Sequence, residues 1–315
     1  MVPSDHAPGA SDTGTEPAAS ANRVDPANQA NRVDLANRID QARRVDRVAV
    51  LSDIHAVLPA LEAVLAEPEV RTADLIVLTG DIAAGPMPCE TLDRLDQLGD
   101  QALWIRGNCD RIQVSQACAG VSLIDSIESW SAAQLRPRDV QRLDGLPFDA
   151  VLDVNGLGPT YFCHATPTDD QAHIPVDSPS DEFAELTAVS PEVSTIVCGH
   201  THMPFARLAH GKMVVNPGSV GMPFGRPGAH WALLGEGVGI SFRRTEFDVP
   251  AAIQQLVEAC DFRVPDGVPA NHGLPDTEAW ARTYLTGAVA EADVLARFAS
   301  RRASRRSAAV LQEPS

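Results

Sequence analysis

Lysine is all but missing from this chain of 315 residues: of its 25 basic side chains only Lys212 is lysine, and the other 24 are arginine. We read that bias as the codon usage of a GC-rich genome. Basic charge as a whole is short, because 42 aspartates and glutamates outnumber it and leave a net charge of −17. Such a surplus argues against general binding to nucleic acid or to an anionic membrane, since like charges repel at long range. Phosphates can still bind locally if cations reverse the sign of the site. The six cysteines (Cys89, Cys109, Cys118, Cys163, Cys198 and Cys260) form no CxxC pair. In a chain this long they are expected as reduced thiols, not as a disulfide framework. No run approaches the roughly eighteen apolar residues of a spanning helix. The first twenty residues lack the basic and apolar regions of a signal peptide. Together these absences predict a soluble, cytoplasmic protein with no membrane partner. Hydrophobic residues nevertheless make up 44% of the chain, enough for a sizeable core.

Residues 1–20 are Pro, Ser, Gly, Ala and acid, a composition that buries too little apolar surface to order itself. A short unit then recurs, as ANRVD at 21–25 and 30–34, ANRID at 36–40 and ARRVD at 42–46. It is too short and too irregular for a solenoid, so 1–44 is expected as a disordered low-complexity tail or a marginal helix. From Arg47 onward, buried-strand runs (47–53, 73–81, 101–108) alternate with helical patterns at 58–68 and 91–100. That alternation predicts βαβ units and a largely parallel sheet in an α/β fold. Runs at 160–164, 194–200, 212–219, 230–235 and 239–244 lie closer together, so the second half is expected to be richer in strands. The stretches 249–260 and 277–300 carry helical spacing. The organisation expected is thus a catalytic domain over 45–248, a helical appendage over 249–306 and a frayed end at 307–315.

Five polar motifs follow five of the predicted strands: Asp53-Ile54-His55, Gly80-Asp81, Gly107-Asn108, His164, and Gly199-His200-Thr201-His202. In an open α/β sheet, ligands bind outside the carboxyl ends of the strands, so these motifs should converge. The i, i+2 spacing of Asp53 with His55, and of His200 with His202, sets both side chains on one face of extended backbone. Two Asp, one Asn and four His are too many for a four-coordinate structural zinc site. They suit two neighbouring cations, with water and substrate completing each shell. A hydroxide between such cations would be a ready nucleophile. The thiolate-free N/O donor set fits Mn, Fe, Co, Ni or Zn better than Ca.

The ordered motifs Asp-x-His, Gly-Asp, Gly-Asn, His and Gly-His-x-His resemble those of the calcineurin-like metallophosphoesterases. The similarity extends over roughly 46–248 and includes SDIH, LTGDI, RGNCD, CGHTHMPF and VVNPGS. It points to the small bacterial phosphodiesterase branch that carries GNCD. The resemblance implies a four-layer α/β/β/α sandwich with two divalent metal ions, Mn foremost, at the sheet edges. Carried over by position, one cation takes Asp53, His55 and His202, the other takes Asn108, His164 and His200, and Asp81 bridges them. Hydrolysis of small phosphate esters is the implied activity, diesters first. A monoesterase or nucleotide pyrophosphohydrolase on the same site is one alternative, and a non-catalytic metal-binding scaffold another. Cys109 stands where phosphoprotein phosphatases place a histidine that protonates the leaving group, which should favour substrates needing little such help; whether Asp110 takes part stays open. Arg111 and Arg226, beside motif segments, are the candidate phosphate-binding residues. The NPGS turn at 216–219 is expected to shape the pocket floor. His173, His210, His230 and His272 have no ligand-like context and are read as structural.

Overall fold

Short runs rich in Val, Ile and Leu build the strands, and their period-two alternation sends neighbouring side chains into different layers. The computed structural model describes residues 34–35, 37–270, 273–286 and 292–300. Strands β1 (Arg43–Val45), β5 (Asp149–Val154), β6 (Gly158–Cys163), β7 (Thr195–Val197), β9 (Lys212–Asn216) and β8 (Phe205–Ala209) form one sheet in that spatial order. The other sheet runs β11 (Gly239–Thr245), β10 (Ala229–Gly235), β2 (Arg47–Leu51), β3 (Leu75–Leu78) and β4 (Ala102–Trp104). Within it β2, β3 and β4 are parallel, as are β6, β7 and β9 in its partner.

The two sheets face each other through Val48, Val50 and Val77 on one side and Phe162, Val197 and Val215 on the other. Ala49, Leu51, Ile76 and Leu78, one step along the same strands, point the opposite way. There they meet helices α1 (Leu58–Leu65), α3 (Pro88–Asp96) and α5 (Ile127–Gln134) through Leu61, Leu92 and Trp130. On the far face of the other sheet, Tyr161, Ile196 and Val214 pack against Phe183 and Leu186 of α7 (Ser180–Leu186). The order helix, sheet, sheet, helix is the four-layer sandwich that the motifs imply. Short helices α2 (Pro68–Arg71), α4 (Asn108–Ala119) and α6 (Pro137–Asp144) complete this part.

Two differences from the sequence reading concern the ends. Order begins earlier than Arg47: β1 pairs in parallel with β5, and Leu35 and Ile39, inside the stretch expected as tail, pack on the outer core. The charge-rich repeat hid this because only one side chain per unit is large and apolar. Residues 1–33 and 36 lie outside the described residues, as do His272 and the 301–315 end. The C-terminal helices α8 (Val249–Ala259) and α9 (Thr277–Leu285) are part of the core, burying Ile253, Leu256, Trp280 and Leu285 with Leu61 and Trp231. Asp248 and Asp276 cap them by accepting from Ala251 N and Ala279 N. The single helix expected over 277–300 instead stops at Leu285, and a further helical stretch covers 292–300.

Candidate metal centre

All five motifs leave the carboxyl ends of parallel strands, β2, β3, β4, β6 and β7, and so reach one place between the two sheets. Asp53, His55, Asp81 and His202 each offer an atom within 4.8 Å of the others, and Asp81, His164 and His200 form a second such group. Asp81 belongs to both. His55 Nε2 lies 3.3 Å from His202 Nε2, and His202 Nε2 lies 3.2 Å from Asp53 Oδ1. On the other side His164 Nε2 is 3.4 Å from Asp81 Oδ1. One terminal atom of the Asn108 amide is 2.9 Å from both His164 Nε2 and His200 Nδ1. An amide nitrogen there would hydrogen-bond the rings, whereas an oxygen adds its lone pair to theirs around one point. The structure thus brings together all seven residues proposed from the motifs.

The backbone shows what this convergence requires. Asp53, His55, Asp81, His200 and His202 all have positive φ, between 47° and 66°, a region that L-residues occupy at a cost. Glycines open the space between the loops: a Cβ on Gly107 would stand 2.2 Å from Asp81 Oδ1, and one on Gly199 would stand 2.0 Å from Ser52 Oγ. Three ring tautomers are set from behind. His55 Nδ1 donates to Ala84 O (3.1 Å), His164 Nδ1 to Thr79 O (2.7 Å) and His202 Nδ1 to Met222 O (2.9 Å). A carbonyl can only accept, so in the neutral ring each Nε2 presents a bare lone pair inward.

The carboxylates are braced as firmly. Asp53 Oδ2 accepts from Ser52 Oγ (2.6 Å) and His200 N (3.0 Å), and Asp81 Oδ1 accepts from Cys109 N (2.8 Å). Asp110 is fully buried and accepts from Asp81 N, Ile82 N and Gly107 N. Its part is to hold the Asp81 loop. The NPGS turn ties the sheets together, with Asn216 Nδ2 donating to Gly199 O (2.6 Å) and Ser219 Oγ to Asp53 O (2.7 Å).

Burial alone would raise both aspartates, but facing imidazoles outweigh it and hold Asp53 and Asp81 below the ordinary carboxylate range. His164 shows the reciprocal effect: burial works against its charge, yet Asp81 lifts it to about 10. Burial and neighbouring rings push His55 and His200 down. Burial, then the Asp81 charge, drives the Cys109 thiol well up. Asp53 Oδ1 and His200 Nε2 are buried with no hydrogen-bond partner. A fixed cluster of N and O donors that includes an orphaned carboxylate oxygen fits a divalent cation and wastes polar groups without one.

The cluster floors a cavity of about 450 Å³. Neither proposed arginine lines it. Arg111 donates twice to Asp170, with both distances 2.8 Å, and is held aside by that pair. Arg226 is exposed, and its carbonyl meets His230 Nε2 at 3.1 Å. Among the described residues the arginine that lines the cavity is Arg297, on the 292–300 stretch. His173, read from sequence as structural, corrects that reading by standing at the cavity with its ring 4.3 Å from that of His200. Phe224, Tyr284 and Phe298 also line the space, as do Gln113 and Gln116. One signal could have found the glutamines: Cys109, Gln113 and Gln116 lie on one face of α4 at spacings of four and three.

The profile of the calcineurin-like phosphoesterase superfamily domain matches residues 47–236. An uncharacterised protein of Methanocaldococcus jannaschii is 27% identical over 241 residues, 67% of this chain and 92% of its own length. Phosphodiesterase YfcE of Escherichia coli is 26% identical over 192 residues, 58% of this chain and 84% of its own. The crystal structure of a hypothetical protein from Pyrococcus horikoshii superposes with a TM-score of 0.61 at 21% identity, covering 78% of this chain and 99% of that one. The chain belongs to the calcineurin-like phosphoesterase superfamily, and its site is that of a metal-dependent phosphoesterase. No helix among the described residues is long and apolar enough to cross a membrane.

Proposed function

We propose that the protein hydrolyses small phosphodiesters with two divalent cations, Mn²⁺ foremost, bound at this cluster. The observation that carries the reading is the convergence of seven ligand-type side chains into two groups that share Asp81. Asp53, His55 and His202 would hold one cation, Asn108, His164 and His200 the other, and Asp81, which belongs to both groups, would serve both. A bound cation pair supplies positive charge to the phosphate oxygens and an activated water for in-line attack. The chain's own part is positioning, through the braced carboxylates and fixed tautomers, and the exclusion of bulk water from the floor.

Two features favour diesters. Cys109, held far up its titration range by burial, is a poor proton donor to a leaving alcohol. Among the described residues the upper cavity carries Asp125 and Glu128 against one guanidinium, that of Arg297, a balance that favours a monoanionic ester over a dianionic one. YfcE, named as a phosphodiesterase, is consistent with that preference.

The test is hydrolysis of bis(p-nitrophenyl) phosphate against p-nitrophenyl phosphate by metal-stripped protein reloaded with Mn²⁺, beside Asp81→Asn. Activity that depends on metal, favours the diester and is lost in the variant is expected. Faster turnover of the monoester would overturn the diester assignment. An unchanged rate in Asp81→Asn would overturn the shared-carboxylate arrangement.

A further inference from the structure

Above the metal-binding floor, the cavity combines aromatic faces with negative charge. Phe224 and Tyr284 are half-buried there, with ring centroids 6.3 Å apart, and Phe224 stacks on His202 at 5.1 Å and 18°. Asp125, just before α5, and Glu128, in its first turn, line the same cavity and are also half-buried. Among the described residues neither carboxylate forms an ion pair, and Asp125 accepts only from the Ser129 hydroxyl, at 3.3 Å. Glu128 stands near enough to the floor for its charge to act on the Cys109 thiol, next to Asn108. Arg297 lines the cavity too, but it is exposed and bridges neither.

A half-buried carboxylate with no cation beside it attracts one more strongly than it would in bulk water. The face of an aromatic ring attracts the same kind of group, and a quaternary ammonium, which has no hydrogen to donate, is held by faces and charge alone. A neutral arm of the same shape keeps the packing and loses the charge, and an anionic arm meets two carboxylates. The phosphate of a diester is a monoanion suited to the cation-binding floor, so the two ends of the site differ in sign over a short span. A cavity of about 450 Å³ has room for both ends. Resting on the phosphodiesterase reading, we infer that the preferred substrates are phosphodiesters in which one ester group carries a quaternary ammonium cation. The ammonium lies among Phe224, Tyr284, Asp125 and Glu128 while the phosphate lies over the metal ligands.

Three p-nitrophenyl phosphodiesters test this on the Mn²⁺-loaded full chain: the choline ester, the 3,3-dimethylbutyl ester, which has the same shape without the charge, and the 3-carboxypropyl ester, which reverses it. All three release p-nitrophenol, so the leaving group is constant. The expected order of kcat/KM is choline, then dimethylbutyl, then carboxypropyl, with the first at least about tenfold above the second. In the double variant Asp125→Asn, Glu128→Gln the choline to dimethylbutyl ratio falls toward one, whereas damage to the fold alone would lower both rates and leave the ratio. Should that variant melt early, the wild-type protein in high salt carries the same expectation, because screening weakens the pairing. A wild-type ratio near one, fastest turnover of the carboxypropyl ester, or a ratio reduced by neither the double variant nor salt would overturn the inference. Bis(p-nitrophenyl) phosphate separates the two levels. If it is turned over while the ratio is near one, only the substrate class fails; if no diester is turned over, the phosphodiesterase reading itself fails.

Discussion

The floor and the upper walls of the cavity are built on opposite plans. The floor comes from five loops that each follow a strand, with strained backbone at five ligand positions and three ring tautomers set by carbonyls behind them. The upper walls come from one face of α4, the loop carrying Phe224 and the C-terminal stretches carrying Tyr284 and Phe298. A fixed floor suits a reaction that is mostly positioning and charge neutralisation. Upper walls drawn from several separate segments suit the choice of what is positioned.

If that division is right, changes should sort by where they fall. The largest effect is expected from Asp81→Asn: kcat/KM for a diester falls by about 10³-fold, and elemental analysis finds less metal per chain. Gly107→Ala comes next, because its Cβ would meet Asp81 Oδ1 at 2.2 Å. Overpacking of this kind costs about 1–3 kcal/mol, to be read as a lower melting temperature with loss of bound metal. Ser52→Ala removes the 2.6 Å hydrogen bond to Asp53. Metal affinity should drop about 10–100-fold with the melting temperature of the metal-free protein little changed, measured by calorimetric titration. An equal loss of stability in Ser52→Ala would blur the distinction between site and scaffold. Arg111→Ala should do least to diester turnover, since both of its donors are spent on the buried Asp170 and it does not line the cavity. A large loss of diester binding there would return Arg111 to the substrate site.

The floor also predicts a pH dependence. In the metal-free protein Asp81 raises His164 to about 10 against the effect of burial, so its imidazole keeps a proton at neutral pH. A cation needs that nitrogen bare and must displace the proton. Apparent metal affinity should therefore rise with pH up to about 10 and weaken as pH falls. Titration in buffers of different ionisation enthalpy should show proton release on binding. Affinity independent of pH between 7 and 9 would contradict this coupling.

The same contrast explains what could be read from sequence. Asp53-x-His55 and His200-x-His202 were legible because metal chemistry needs particular side chains at the end of particular strands, and substitutes are few. The parallel strands followed from runs such as Arg47–Leu51 alternating with helical patterns, whereas the four-layer sandwich came with the family resemblance of the motifs. His173, Phe224 and Phe298 were not legible: they reach the cavity from distant segments and are side chains that any core uses. Arg111 misled for a related reason. Its neighbourhood in sequence is the Gly107-Asn108 motif, but its partner Asp170 lies 59 residues away and takes both of its donors. The early start of order at β1 was masked by a repeat whose composition is that of a solvated tail.

The origin of the upper wall has a consequence for how such a protein diversifies. The candidate metal ligands all fall between Asp53 and His202, whereas Tyr284, Arg297 and Phe298 arrive from beyond β11, the last strand among the described residues. Chemistry and part of the choice of substrate are therefore encoded in separate stretches of the gene. An insertion, truncation or exchange near the C-terminus can change which esters are accepted while the bond-breaking apparatus is inherited untouched.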